Sequence, residues 1–354
     1  MLKMTKLHSV KITALLTLTG CSENPTNQLS ENLKPAPQPQ NVQTQGSTKS
    51  LQTESNSESK SNQPICNIAP RVAGEFKNIK YQSLNGIEDN LQSLDIYTPE
   101  LTNPCNNVPV VIWVHGGGWM LGDKVHLDSK TEFYRSLGYV LVSINYRLSP
   151  VTSTLPKDSQ LDESRIKFPD HPNDVGSAIA WVRKNITNYG GNPEQIALAG
   201  HSAGAHFVAL VSTDQNYIRR SDSTWKSSFL KCTGSYDTEG YDIPTALASD
   251  PPETQKKIYQ NAFGVLPADH ILASPKTHIS SESPAFQFAK RGDSSRQNIL
   301  TAFSELLKNL GKTISIIDAT SLDHEDVNTT IGAARDLVMT PYVREFMTRV
   351  CFPK

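Results

Sequence analysis

The pentapeptide Gly200-His201-Ser202-Ala203-Gly204 lies between an apolar run at residues 195–199 and a second at residues 205–210, and few local structures satisfy that pattern. It reads as a strand that turns sharply into a helix, with the serine on the bend. Such a bend forces unusual backbone angles on Ser202 and leaves no room for side chains two positions to either side, a demand that Gly200 and Gly204 meet. Upstream, the apolar residues 110–114 open directly into His115-Gly116-Gly117-Gly118, a loop whose bare amides can face a developing oxyanion. Together the two elements point to acyl-transfer chemistry with Ser202 as nucleophile.

The rest of the pattern alternates strands with helices. Residues 76–84 and 91–97 read as an opening hairpin turning near Asn85-Gly86, followed by strands at 110–114 and 139–146. Val175, Ala178, Ile179, Val182 and Ile186 recur at spacings of three and four, which predicts an amphipathic helix over 174–189 that stops at Gly190-Gly191. Beyond the serine turn, strands are expected near 229–234, 286–289 and 313–317. A helix carrying Ile299, Leu300, Phe303, Leu306, Leu307 and Leu310 is expected between the last two. Strands separated by helices imply an α/β fold with a mostly parallel central sheet and helices on both faces.

A serine nucleophile needs a base and an acid from later loops. His324 follows the strand expected at 313–317 and is the leading base, while His115, His201 and His206 have structural readings. The acid is expected to be Asp293, in Arg291-Gly292-Asp293-Ser294-Ser295-Arg296 after the strand at 286–289. Asp237, after the preceding strand, is the alternative. Trp119 and Met120 follow the glycine loop and are placed to wall an acyl pocket, and residues 148–170 to form part of a cap.

The N-terminus carries a separate message. Lys3, Lys6 and Lys11 precede a short apolar stretch, residues 12–18, that ends in Leu18-Thr19-Gly20-Cys21. This resembles a bacterial lipoprotein signal, which implies cleavage before Cys21, lipidation of Cys21 and attachment to a membrane through the lipid alone. Ser22 after the cysteine implies the outer membrane, on its periplasmic side. Residues 22–64 are rich in Ser, Asn, Gln, Pro and Thr without an aromatic side chain and cannot bury enough to fold. The expected organisation is a signal at 1–20, a lipidated cysteine and tether at 21–64, and one catalytic domain at 65–354.

Lys plus Arg number 34 against 35 Asp plus Glu, so no basic surface argues for a nucleic-acid partner. With Cys21 set aside, Cys66, Cys105, Cys232 and Cys351 form an even set in an exported chain. Three pairings are open, and Cys66–Cys105 with Cys232–Cys351 is favoured because each pair falls in one half of the chain.

Several motifs carry a wider resemblance. They are His115-Gly116-Gly117-Gly118-Trp119 with Gly122-Asp123-Lys124, Asn145-Tyr146-Arg147-Leu148-Ser149-Pro150, and Phe168-Pro169 with Asp174. Trp181 to Ile186, Tyr189-Gly190-Gly191-Asn192-Pro193 and the serine pentapeptide complete the set. From about Leu91 to Asn328 the chain resembles the α/β-hydrolase branch that holds carboxylesterases, bifunctional feruloyl and acetyl xylan esterases, and arylformamidases. The resemblance implies that Ser202 attacks an ester carbonyl, that His324 carries the proton, that an aspartate orients His324, and that the amides of Gly117, Gly118 and Ala203 hold the oxyanion. It implies a small-molecule ester substrate and no metal or organic cofactor. Hydrolases with Gly-x-x-Asp in the relevant loop would carry their aspartate where Ser295 stands here. Two other readings share the scaffold: an amidase acting on aryl formamides, and a binding module that has lost its acid.

Overall fold

The computed structural model describes residues 73–100, 107–151 and 162–354. Cys21, the tether, Cys66 and Cys105 lie outside the described residues. The strands are β1 (Gly74–Lys80), β2 (Ser93–Thr98), β3 (Val108–Val114), β4 (Val140–Ile144), β5 (Gly191–His201), β6 (Leu230–Tyr236), β7 (Ala285–Lys290) and β8 (Ile314–Asp318). They form one eight-stranded sheet in the order β1-β2-β4-β3-β5-β6-β7-β8. β2 runs antiparallel to β1 and β4, and every other pairing is parallel.

The two faces of the sheet are read directly from strand alternation. Val110, Ile112 and Val114 of β3 join Ile196 and Leu198 of β5 in one core, whereas Val111, Trp113, Ala197 and Ala199 point into the other. All of these are at most 1% exposed. Burying each large aliphatic side chain contributes about 1.5–3 kcal/mol, so a sheet covered on both sides is what such continuous apolar runs require.

The helices that cover it are α1 (Lys130–Ser136), α2 (Asp170–Asn185), α3 (Ala203–Thr213), α4 (Asn216–Arg219), α5 (Ile243–Ala248), α6 (Glu253–Phe263), α7 (Pro267–Leu272), α8 (Ser294–Asn309), α9 (His324–Thr329) and α10 (Thr340–Phe346). α2 buries Val175, Ala178, Ile179 and Val182, the stripe expected from spacing. A 3₁₀ turn over Ile186–Tyr189 then ends at Gly190 with φ 78°, the left-handed terminus expected from the glycine pair. In α8 the apolar stripe is narrower than the sequence implied. Ile299, Leu300, Phe303 and Leu307 are buried, but Leu306 and Leu310 are exposed.

β1 and β2 pair antiparallel as the expected opening hairpin, with a turn at Asn85-Gly86 where Gly86 has φ 78°, but the strands are shorter at the turn than the sequence implied. β1 stops at Lys80, and a 3₁₀ turn over Asp89–Gln92 intervenes before β2. The buried Lys124 packs against this hairpin, its Nζ donating to Asn78 Oδ1 at 2.9 Å and Asn90 Oδ1 at 2.8 Å. That knot ties β1 to the 3₁₀ turn before β2, because a buried ammonium must be hydrogen-bonded. It also explains the Gly122-Asp123-Lys124 and Asn145 motifs, since Asn145 accepts from the Lys124 amide and donates to Asp123.

A disulfide joins Cys232 of β6 to Cys351 across a sequence separation of 119. It ties the middle of the sheet to the C-terminal helix, in keeping with the favoured pairing.

Candidate active site

Ser202 occupies the bend between β5 and α3 with φ 55° and ψ −118°, an arrangement disfavoured for an L residue. Two contacts hold it: its amide donates to the Tyr236 carbonyl at 3.0 Å, and its carbonyl accepts from the His206 amide at 3.1 Å. A Cβ on Gly204 would lie 2.0 Å from the Val114 carbonyl oxygen, so α3 leaves the bend packed on β3 only because that position is glycine.

His324 is the first residue of α9, which Asp323 caps by accepting from the Asp326 amide at 2.7 Å. Its Nε2 lies 3.0 Å from Ser202 Oγ and its Nδ1 lies 2.6 Å from Asp237 Oδ2. Nε2 therefore faces the serine proton while Nδ1–H donates to a carboxylate, the tautomer that a serine base requires.

Asp237, not Asp293, sits behind His324. The loop after β7 does reach the site, but Asp293 is spent as the N-cap of α8, where its Oδ1 accepts from the Arg296 amide at 2.9 Å. The acid comes instead from the end of β6, one strand nearer the serine, and is 1% exposed. Burial alone would raise the Asp237 carboxyl. The hydrogen bond from His324, the charges of Arg296 and His324, and the Arg291 hydrogen bond outweigh it and hold the group well below the usual carboxylate range.

The chamber over the serine has a volume of about 150 Å³ and is bordered by Gly118, Trp119, Ala203, Ile258, Tyr259 and His324, among others. Gly118 and Ala203 thus border the same space as Ser202. Gly117 borders a separate cavity of about 330 Å³ with His115 and His201, and its carbonyl closes the loop by accepting from the Met120 and Leu121 amides. Trp119 is both core and wall: 5% exposed, it borders the chamber while its indole N–H donates to His206 Nδ1 at 3.3 Å. Met120 is buried but does not border the chamber.

Of the expected cap, residues 152–161 lie outside the described residues, and residues 162–170 buttress the chamber's wall: Arg165 donates to the carbonyls of Gln260 and Asn261, and the Phe168 amide to that of Ala262. The wall itself is α6, which supplies Gln255, Ile258 and Tyr259. Sequence reasoning passed over this helix, although Ile258, Tyr259, Ala262 and Phe263 carry helical spacing.

His115, His201 and His206 are neutral supports. His206 Nε2 donates to the Ala273 carbonyl at 2.8 Å, which leaves Nδ1 to accept from Trp119. His115 hydrogen-bonds the Gly116 carbonyl at 2.8 Å and stacks on Tyr146, ordering the glycine loop. His201 packs on His324 with ring centroids 4.5 Å apart. Burial lowers all three, His115 and His206 to about 4 and His201 to about 3.

His201, Asp237 and His324 bring potential metal-ligand atoms within 4.8 Å of one another. Asp237, however, already faces two guanidinium groups, and a divalent cation placed there would meet like charge. The set fits a proton relay better than a metal centre.

The carboxylesterase family model matches residues 31–219. Among curated relatives, the chain is 30% identical over 266 residues to esterase LipQ of Mycobacterium tuberculosis, covering 72% of this chain and 58% of that protein. It is also 30% identical to the probable carboxylic ester hydrolase LipM of the same organism, over 54% of this chain and 43% of that one. The chain spans about half the length of the curated relatives it matches. Among solved structures, esterase 2 of Thermogutta terrifontis phosphoramylated by tabun superposes with a TM-score of 0.58 at 19% identity, covering 80% of this chain and 97% of that one. Its likeness establishes the α/β-hydrolase fold. With more than half of its length matched to the family model, the chain belongs to the carboxylesterase family.

Proposed function

We propose that the protein is a serine carboxylic ester hydrolase that acts through an acyl-enzyme on small or aromatic acyl esters. The observation that carries the reading is the continuous relay from Ser202 Oγ through His324 to Asp237, at 3.0 and 2.6 Å. In this reading Ser202 Oγ attacks the ester carbonyl as His324 Nε2 takes its proton. The amides of Ala203 and Gly118, with that of Gly117, hold the oxyanion, and the proton passes from His324 to the departing alcohol. Water then gives a proton to His324 Nε2 as its oxygen attacks the acyl carbon, and His324 returns that proton to Ser202 Oγ as the acyl–Oγ bond breaks and the carboxylic acid leaves. The chamber of about 150 Å³, walled by Trp119 and Tyr259, supports a short or flat acyl group over a long lipid chain.

The resemblance to feruloyl and acetyl xylan esterases supports the same substrate range. The N-terminal pattern supports a catalytic domain at 65–354 tethered through lipidated Cys21 to the cell envelope, on the periplasmic side of the outer membrane.

The full chain and Ser202→Ala are to be compared on p-nitrophenyl acetate, butyrate and palmitate. Hydrolysis of the short esters that vanishes with Ser202, and weak turnover of palmitate, is expected. Equal rates on palmitate overturn the substrate range, and activity retained by Ser202→Ala overturns the mechanism.

A further inference from the structure

The loop after β7 was expected to bring a carboxylate to the triad and instead brings two cations. Arg291 Nε donates to Asp237 Oδ2, the oxygen that also accepts from His324. Arg296 Nε donates to Asp237 Oδ1 at 2.7 Å, and Arg296 Nη2 donates to the backbone carbonyl of Asp237, also at 2.7 Å. Arg296 therefore grips both ends of one residue. That residue has φ 59°, a left-handed conformation that an L side chain adopts only where its surroundings enforce it. Asp293, by accepting from the Arg296 amide at the start of α8, sets the direction in which Arg296 leaves the helix.

We propose that Arg291 and Arg296 form a clamp of positioning residues for the triad acid, with two separable effects. The fork of Arg296 fixes Asp237 in the conformation that aims its carboxylate at His324. The paired charges offset part of the negative field that Asp237 presents to His324. The inference rests on the serine-hydrolase reading. The groups facing His324 and Asp237 from the surrounding elements are Arg291 and Arg296 from the β7–α8 segment and Glu239, paired with Arg296, from the segment after β6. His201 packs on the other side of the ring, with Lys130 beyond it. On its own helix His324 is followed by Glu325 and Asp326.

The test uses the full chain and Arg291→Gln, Arg296→Gln and Arg296→Lys. Its readouts are the pH profile of kcat/KM on p-nitrophenyl acetate, the His324 titration followed by NMR, and circular-dichroism melts. Arg291→Gln is expected to raise the acid limb and the His324 midpoint together, by about one pH unit. Arg296→Lys keeps the charge and loses the fork, so it is expected to lower kcat about tenfold without moving either midpoint. Arg296→Gln shows both effects; should it fail to fold, the other two variants carry the test. Folded variants with wild-type kcat and midpoints overturn the clamp. Losses of kcat in the glutamine variants with unmoved midpoints overturn its electrostatic half. A wild-type protein that neither turns over the ester nor reacts with a fluorophosphonate overturns the hydrolase reading itself. The NMR midpoints do not depend on turnover and separate that failure from failure of the clamp.

Discussion

Replacing Asp237 by Asn tests which carboxylate serves the triad, because the substitution keeps shape and removes charge. Three side-chain donors converge on this carboxylate, from His324, Arg291 and Arg296. An amide offers them one oxygen and turns an NH₂ toward the rest. His324 then loses the partner that fixes its tautomer, for which the serine-protease precedent is a fall in kcat of about 10⁴, or about 5.4 kcal/mol of transition-state stabilisation at 1.36 kcal/mol per decade. Breaking a buried ion pair costs about 3–5 kcal/mol in stability. Both guanidinium groups keep about a fifth of their side-chain exposure, and Arg296 retains Glu239, so about 1–3 kcal/mol is expected here. Asp293→Asn should change kcat less than about twofold, because asparagine caps a helix as well as aspartate does. The assay is kcat/KM on p-nitrophenyl acetate for both full-length variants, with urea melts to separate folding from chemistry. The reasoning is refuted if Asp237→Asn keeps more than a tenth of wild-type kcat, or if Asp293→Asn loses as much.

Three further outcomes follow from the geometry. Gly204→Ala places a methyl against the Val114 carbonyl, so the α3 packing must shift; a fall in kcat of at least about 10²-fold with a lower melting temperature is expected, and a wild-type melt contradicts it. His115, His171, His201 and His206 are held neutral by burial, at about 4, 3, 3 and 4. Because each folded value lies below the unfolded value near 6.5, their contribution is complete above about pH 6.5. It is lost as pH falls toward 4, by at most about 1.4 kcal/mol per pH unit for each histidine. Urea midpoints measured from pH 7.5 to 4 should fall on acidification, and a flat profile contradicts the burial argument. Replacing Cys232 and Cys351 together by alanine should cost about 2–5 kcal/mol, read from the same melts with and without reductant, because the bridge closes a loop of 119 residues.

The serine turn, the glycine loop, the α2 stripe and the position of His324 were legible because each is a local pattern: glycines where Cβ atoms collide, apolar spacing of three and four, a histidine after a strand. The acid was not, since it depends on which strand end faces the imidazole, and spacing along the chain carries little of that information. Arg291 and Arg296, flanking Asp293, were a signal that passed unused: two arginines beside a single exposed aspartate imply a carboxylate elsewhere, and Asp237 is that partner. Ser295 in place of an expected aspartate was the only feature favouring a binding module without an acid, and with Asp237 against His324 it no longer does so. The opening hairpin and its turn at Asn85-Gly86 were legible too, as a local signal, whereas the contacts that Asn78 and Asn90 make with Lys124 from a distant loop were not.

The central claim, that Ser202 is a nucleophile activated by His324 and Asp237, is tested most directly by treating the full chain with a fluorophosphonate and mapping the adduct by mass spectrometry. One adduct per chain on Ser202, slowed at least about 10³-fold in both His324→Ala and Asp237→Asn, is the predicted result. Absence of labelling in a folded wild-type protein, or an adduct on another residue, would contradict it.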